Sequence, residues 1–392
     1  DVYINSVFAG QHKGGYTTFI VDITDYATFG IDATNLIAVQ VDNSHDNHIP
    51  SLSVGYALYG GIYRDVWLIA TSPLHFKLSD HASSGIYITT PEVSEKKAKV
   101  EIKGTLVNNT DEVKRISVIS RILDNEGRLV KKTESVVEVG PDSETHFRQS
   151  TGPINTPRLW SPDDPYLYRV VSEIHDENFI VDKVNNPLGF RWFSFDPDKG
   201  FSLNGEKLLL KGTNRHQDMM GKGHALTNAD HERDLRIIKE MGCNFLRLAH
   251  YPQDPRILEM ADKLGLLIWE EIPLVNYMNI SHPFIENSKN IIREMIRQHY
   301  NHHPSNTPAS VSKIFLWSKE GARTREHTDE KYNKNVYRIA KQLDSLIRAE
   351  DPGRYTAMAI HGSNHYDKTG VADVPQVLGL NLYNGWYGGV FD

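Results

Sequence analysis

The chain has 392 residues, more than one ordinary hydrophobic core organises, so two or three domains are expected. Hydrophobic residues make up 39% and charged residues 24%, as in a soluble globular protein, and no apolar run approaches the ~20 residues of a membrane span. A formal net charge of −7 without a long basic run argues against nucleic acid or an anionic membrane as the main partner.

Residues 1–72 read as an all-β unit. Val2–Asn5, Thr17–Asp22 and Leu36–Asp42 alternate apolar and polar side chains, and Gly14-Gly15, Asp42–His45 and Gly60-Gly61 punctuate them. These strands are too few to cover one another, and Val2–Asn5 reads as the middle of a strand. An N-terminal part ahead of Asp1 is therefore expected, and a targeting segment there is left open. Residues 73–188 are again β. Ala98–Lys103 and Ile116–Ile122 alternate, with turns at Asn108-Asn109 and Asp124–Gly127, and strands spaced by ~8–12 residues suggest an immunoglobulin-like sandwich.

From 189 to 392 the pattern changes to strands alternating with helices. Strands are expected at Lys207–Gly212, Cys243–Leu248, Leu266–Trp269, Ile314–Trp317, Tyr355–Ala359 and Val377–Leu380. Helices are expected at Asp230–Met241, Pro255–Leu264, Asn287–Tyr300 and Glu330–Ala349. Strict alternation implies a parallel sheet with crossover helices. Six such strands fit a (β/α)8 TIM barrel lacking its last two units; a doubly wound open sheet competes, but no Gly-rich phosphate fingerprint follows the first strand.

In a barrel, function gathers at the carboxyl ends of the strands. Those ends carry Asn214 to Asp218, then Arg247 and His250, then Glu270-Glu271, then Trp317, Ser318 and Glu320, then His361, and finally Asn381, Tyr383 and Trp386. Each end offers groups that hydrogen-bond or stack on a polyol. None offers a Ser/His/Asp set or a His/Cys metal cluster. The 18 tyrosines and six tryptophans suit a sugar binder. The single cysteine, Cys243, lies in an apolar run and reads as a buried small hydrophobe. His302-His303 is an unaccompanied adjacent pair and reads as solvated histidines rather than metal ligands.

Here the chain resembles family 2 glycoside hydrolases of the β-galactosidase kind. Gly212-Thr-Asn-Arg-His-Gln-Asp218, Gly242-Cys-Asn-Phe-Leu-Arg-Leu-Ala-His-Tyr-Pro252, Asp262-Lys-Leu-Gly265 and Trp269-Glu-Glu-Ile-Pro273 are similar to the family's first barrel segments. Gly14–Phe19, Asn35–Asn43 and Gly60–Asp65 resemble its sugar-binding jelly roll, and Leu380–Tyr387 the segment after the sixth strand. The resemblance implies a jelly roll, a sandwich and a barrel in that order. It also implies a retaining exo-β-glycosidase acting through two carboxylates ~5–5.5 Å apart.

In that scheme the acid follows the fourth strand, which makes Glu320 the candidate, and the nucleophile follows the seventh, beyond Asp392. This chain alone is therefore expected to hydrolyse little. Two positions depart from the family pattern. Lys319, not Asn, precedes Glu320 and favours its charged form, and Gly55 stands where many relatives place an acidic sugar contact. The resemblance implies sugar contacts at His216, Asp218, Arg247, His250, Glu271, His361, Asn381 and Trp386; for His216, Asp218, Arg247 and Glu271 a structural role competes. It implies a carbohydrate substrate and no organic cofactor. A divalent metal near the acid finds no His partner in Ile272–Asn276. A β-galactosidase-like specificity is read first, with β-glucuronidase-like or β-mannosidase-like specificity, or a non-catalytic carbohydrate-binding protein, as alternatives. A homo-oligomer is left open, as is the compartment, between bacterial cytoplasm and periplasm.

Overall fold

The computed structural model describes residues 1–52, 56–275, 277–302, 330–361, 366 and 369–382. The N-terminal segment forms an antiparallel sheet in the order β2–β1–β3, from β1 (Val2–Ile4), β2 (Val7–Gly10) and β3 (Ile37–Val39). Asn5 and Ser6 both take positive φ, which is what a two-residue hairpin turn between β1 and β2 requires. The strand expected at Thr17–Asp22 is absent. Instead the peptide group of Thr18 is satisfied from outside: its N–H donates to Gln298 Oε1 (3.2 Å), and its carbonyl accepts from Gln298 Nε2 (2.8 Å).

Eight strands follow: β4 (Leu74–Phe76), β5 (Ile86–Val93), β6 (Lys97–Asn108), β7 (Lys114–Leu123), β8 (Leu129–Val139), β9 (Ser143–Asn155), β10 (Tyr168–Asp176) and β11 (Phe179–Leu188). β6 pairs with β4 and β5 on one side and with β9 on the other, while the second sheet runs β11–β10–β7–β8; every pairing is antiparallel. Alternate residues point inward, as a half-buried strand requires. Val100 and Ile102 of β6, Ile116 and Val118 of β7, and Val170 and Ile174 of β10 meet in one core between the sheets. This is a β-sandwich.

A short meander, β12 (Phe193–Asp196), β13 (Gly200–Leu203) and β14 (Glu206–Lys207), packs Phe201 and Leu203 against Trp160 and Leu267. The α/β part then contains β15 (Gly212–Arg215), α1 (Asn228–Glu240), β16 (Phe245–Leu248), α2 (Pro255–Leu264), β17 (Leu267–Trp269), α3 (His282–His299), α4 (Glu330–Glu350), β18 (Ala357–His361) and β19 (Val377–Asn381). β15, β16 and β17 pair in parallel, and so do β18 and β19. The first barrel strand thus begins at Gly212, not at Lys207. Leu208 and Leu210 instead pack with the meander core. The strand expected at Ile314–Trp317 lies outside the described residues.

The parallel strands curve round a common interior. Trp269 of β17 packs against Ala357 and Ala359 of β18, and a Cβ added to Gly379 of β19 would lie 2.6 Å from the same indole. Arg247 of β16 bonds Asn381 of β19 across that interior. Neighbouring strands lie ~4.8 Å apart, so a flat doubly wound sheet would keep β16 and β19 out of each other's reach. The curvature is that of a TIM barrel.

Candidate active site

The centre is a polar cluster at the carboxyl ends of β16, β17 and β19. Glu271, two residues past β17, is fully buried, at 0% exposure. Its Oε1 accepts from Arg247 Nε at 2.7 Å, with Arg247 Nη2 2.6 Å away, and its Oε2 is 2.7 Å from His250 Nδ1. Arg247 Nη1 donates to Asn381 Oδ1 at 2.9 Å, and the guanidinium carbon sits 5.3 Å from the centre of the Trp269 ring. Burial alone would push the Glu271 carboxyl up. The Arg247 charge and the His250 contact more than offset that and hold it below the ordinary carboxylate value. Glu271 therefore stays ionised. Both its oxygens are engaged by Arg247 and His250, an arrangement in which a carboxylate orients a histidine.

Asn381 Nδ2 is buried without an acceptor among the described residues. An unmet buried donor costs about 1–3 kcal/mol, so the cluster is stabilised by any ligand that brings an oxygen there. Beneath it lies a cleft of about 310 Å³ between the two groups of strands, bordered by Phe245, Arg247, Trp269, Ala359 and Asn381. Behind it Glu270 bonds His299 of α3 at 2.7 Å, both buried.

One wall of the site is aromatic and comes partly from the N-terminal segment. Tyr56 places its ring 5.1 Å from His216, 6.1 Å from His250 and 5.3 Å from Tyr251, and Tyr16 stacks on Tyr251 at 4.4 Å. His216 meets the His250 ring edge-on at 5.2 Å and lies 3.3 Å from the Tyr251 hydroxyl, which also accepts from Gln217 N–H (3.0 Å). Burial pushes the Tyr56 hydroxyl up to about 12 and raises those of Tyr16 and Tyr251 as well, so all three remain neutral hydrogen-bonding groups. Arg64 anchors the wall, donating to the carbonyls of Tyr16 (2.5 Å) and Pro252 (3.0 Å).

The structure thus brings together four of the expected sugar contacts, Arg247, His250, Glu271 and Asn381, with His216 beside them. Asp218 is exposed and stands apart from that cluster, acting through its charge on His224 and Tyr251. The backbone of His361 lies in register with Asn381. Glu320, Trp317, Ser318, Tyr383, Trp386 and Gly55 lie outside the described residues. His302 departs from the expectation of a solvated side chain. It is largely buried and bonds Asp262 at 2.8 Å, because Asp262 carries a carboxylate into the interior beside it. No group of three metal-ligating side chains occurs among the described residues. Cys243 is buried in the core between α1, α2 and β16. Sequence reasoning missed Tyr16, Tyr56, Tyr251 and His224. The only signals were position: Tyr251 lies inside the His-Tyr-Pro run, and Tyr56 follows Gly55.

Comparison with known proteins gives the same framework. Residues 197–387 match the family model described as glycosyl hydrolases family 2, TIM barrel domain, and residues 84–191 match the model described as glycosyl hydrolases family 2. A putative β-glucuronidase of Formosa agariphila is 36% identical over 100% of this chain and 44% of its own length. The β-galactosidase BoGH2A of Bacteroides ovatus is 32% identical over 98% of this chain and 46% of its own length. The crystal structure of a Bacteroides uniformis β-glucuronidase superposes with a TM-score of 0.94 at 39% identity, covering 99% of this chain and 46% of that one. The chain spans about half the length of the curated relatives it matches.

Proposed function

Because the chain belongs to glycosyl hydrolase family 2, we propose that the whole protein is a retaining exo-β-glycosidase, with Arg247, His250 and Asn381 gripping the terminal sugar. The observation that carries this is the buried Glu271 tying Arg247 and His250 together at the barrel mouth, beside an Asn381 amide without an acceptor among the described residues. Such a cluster binds and orients; a proton donor must come from elsewhere. Glu320 is proposed as that acid, and the nucleophile is proposed to follow the barrel's seventh strand. In double displacement one carboxyl protonates the leaving oxygen while the other attacks the anomeric carbon, and the first then acts as base toward water.

A β-glucuronide is proposed as the preferred substrate. The sequence reading put β-galactosides first. Relatives named β-glucuronidases, at 36% identity over nearly the whole chain and a TM-score of 0.94, favour the charged sugar. The 32% identical β-galactosidase supports a galactoside as the second reading. The test is steady-state hydrolysis of nitrophenyl β-glucuronide, β-galactoside and β-mannoside by the full-length protein. The expected result is a kcat/KM for the glucuronide at least about 100-fold above the others, the discrimination that a site built for a polar substituent supplies. A galactoside preference would select the second reading. Absence of turnover on every glycoside, with binding retained in calorimetry, would leave a carbohydrate-binding protein and overturn the enzymatic one.

A further inference from the structure

On the outer face of the barrel, α3 and α4 enclose a groove of about 550 Å³. Its walls carry Lys289 and Arg293 from α3, and Arg338 and Lys341 from α4, with Tyr337, Gln342 and Ser345 between them. Among the described residues no carboxylate lines it, although Glu286 and Glu350 pair with the cations of its α3 wall. In a chain of net charge −7, four cations around one groove are a local reversal of the overall field.

The spacing follows from the helices. Lys289 and Arg293 are four residues apart and Arg338 and Lys341 three, so each pair shares a face one turn apart. The α3 cations are partly neutralised: Lys289 pairs with Glu286 at 2.7 Å, and Arg293 lies 3.3 Å from Glu350, a carboxylate that Arg297 also engages. The α4 cations are not. Among the described residues Arg338 donates to the neutral amide oxygen of Asn335, at 3.4 Å, and Lys341 lies over the Tyr337 ring, at 6.0 Å. Neither has an acidic partner among the described residues, and both are exposed. Tyr337 is backed by Gly370, where an added Cβ would lie 3.4 Å from its ring.

From this we propose a second carbohydrate site, distinct from the barrel mouth, that binds a stretch of acidic polysaccharide. Cations on both walls meet carboxylate or sulfate groups along the chain, while Gln342 and Ser345 supply hydrogen bonds for hydroxyls. The groove shares no lining residue with the cleft at Arg247. It would keep the enzyme on an anionic polymer whichever terminal sugar the barrel removes, so the inference stands independently of the specificity proposed above.

The test is calorimetry on the full-length protein with three hexasaccharides of equal length: one sulfated, one polyuronate and one neutral. Binding to at least one acidic hexasaccharide, absent for the neutral one and weakened by raising salt, is expected. In the R338E/K341E variant the Kd should rise at least about 10-fold, with a smaller rise in R338Q/K341Q, since exposed charges contribute modestly each but add along a polyanion. Turnover of a nitrophenyl glycoside should not change in either variant. Equal binding of acidic and neutral hexasaccharides would overturn the proposal. So would wild-type affinity in both variants, which places any binding at the barrel mouth, or tighter binding of a single-stranded oligonucleotide of the same charge.

Discussion

At the scale of single residues, the proposed site turns on Glu271. Its charge holds a buried arginine and a histidine in one geometry. Glu271→Gln keeps the shape but leaves the Arg247 guanidinium without its counter-charge. Removing one member of a buried pair costs roughly 3–5 kcal/mol. Urea unfolding of the full-length protein should register most of that loss, and kcat/KM should fall on the order of 10²-fold as Arg247 and His250 lose alignment. The pH dependence carries a sign. The Glu271 carboxyl sits below its ordinary value of 4.5 in the fold, so its stabilisation is complete above pH 4.5 and is lost as pH falls through the folded value. Stability curves of wild type and E271Q should therefore converge below pH 4.5 and run parallel above it. A constant gap down to pH 3 would contradict the assignment.

At the scale of elements, α2 shows how local chemistry sets a boundary. Asp254 caps its first turn through Arg256 N–H at 2.9 Å, Pro255 opens it, and Gly265 closes it at φ +72°. A Cβ at Gly265 would lie 2.4 Å from the Pro162 carbonyl, the same carbonyl that Lys239 holds at 2.8 Å. Gly265→Ala combines a left-handed penalty with a backbone clash, and a loss of at least about 2 kcal/mol in thermal or urea unfolding is expected. A neutral substitution would show that the sandwich corner at Pro162 can retreat from α2. The same punctuation explains what the sequence made legible. Pro255–Leu264 was readable to the residue, because cap, proline and glycine are written side by side. The first barrel strand was misplaced because Leu208-Leu-Leu210 looks more strand-like than Gly212-Thr-Asn-Arg215. Only the tertiary fold shows that Gly212 must run against the Phe245 backbone, where an added Cβ would sit 2.0 Å from the carbonyl oxygen. Likewise α3 begins at His282, five residues before the expected start, behind Ser281 and a first-turn Pro283. That Arg247, His250 and Glu271 lie together was legible from the strand ends, since parallel strands in register bring those ends together. Tyr56 was not, because strand alternation carries no information about which distant loop will cover a barrel.

At the scale of the whole molecule, the N-terminal segment meets the barrel through directed polar contacts. Arg64 bridges Tyr16 and Pro252, His12 bonds Glu294 at 2.9 Å, and Asn279 donates to the Asn47 carbonyl at 2.9 Å. Arg64→Ala removes the bonds to the Tyr16 and Pro252 carbonyls and a longer one to Gln217 Oε1 (3.4 Å), and should cost about 2–3 kcal/mol. It should also raise KM more than it lowers kcat in the full-length protein, because Tyr56 and Tyr16 lose their anchor while Arg247 and Glu271 keep theirs. An unchanged KM would mean that the aromatic wall stands without Arg64.

The same segment leaves much apolar surface uncovered: Phe29, Ile31, Val66, Trp67 and Leu68 are all exposed. Large exposed apolar side chains favour association. Among the described residues β2 and β3 are the edge strands of their sheet, and exposed edges also favour association. For the 392 residues expressed alone, size-exclusion chromatography with light scattering should therefore show self-association that grows with protein concentration and weakens on cooling, as an apolar contact does. Substituting Trp67 and Leu68 by Ser should shift the profile toward monomer, whereas the charge-reversed R338E/K341E chain should associate as before, because its groove lies on α3 and α4. A compact monomer at all concentrations would mean that these side chains are covered within the chain itself.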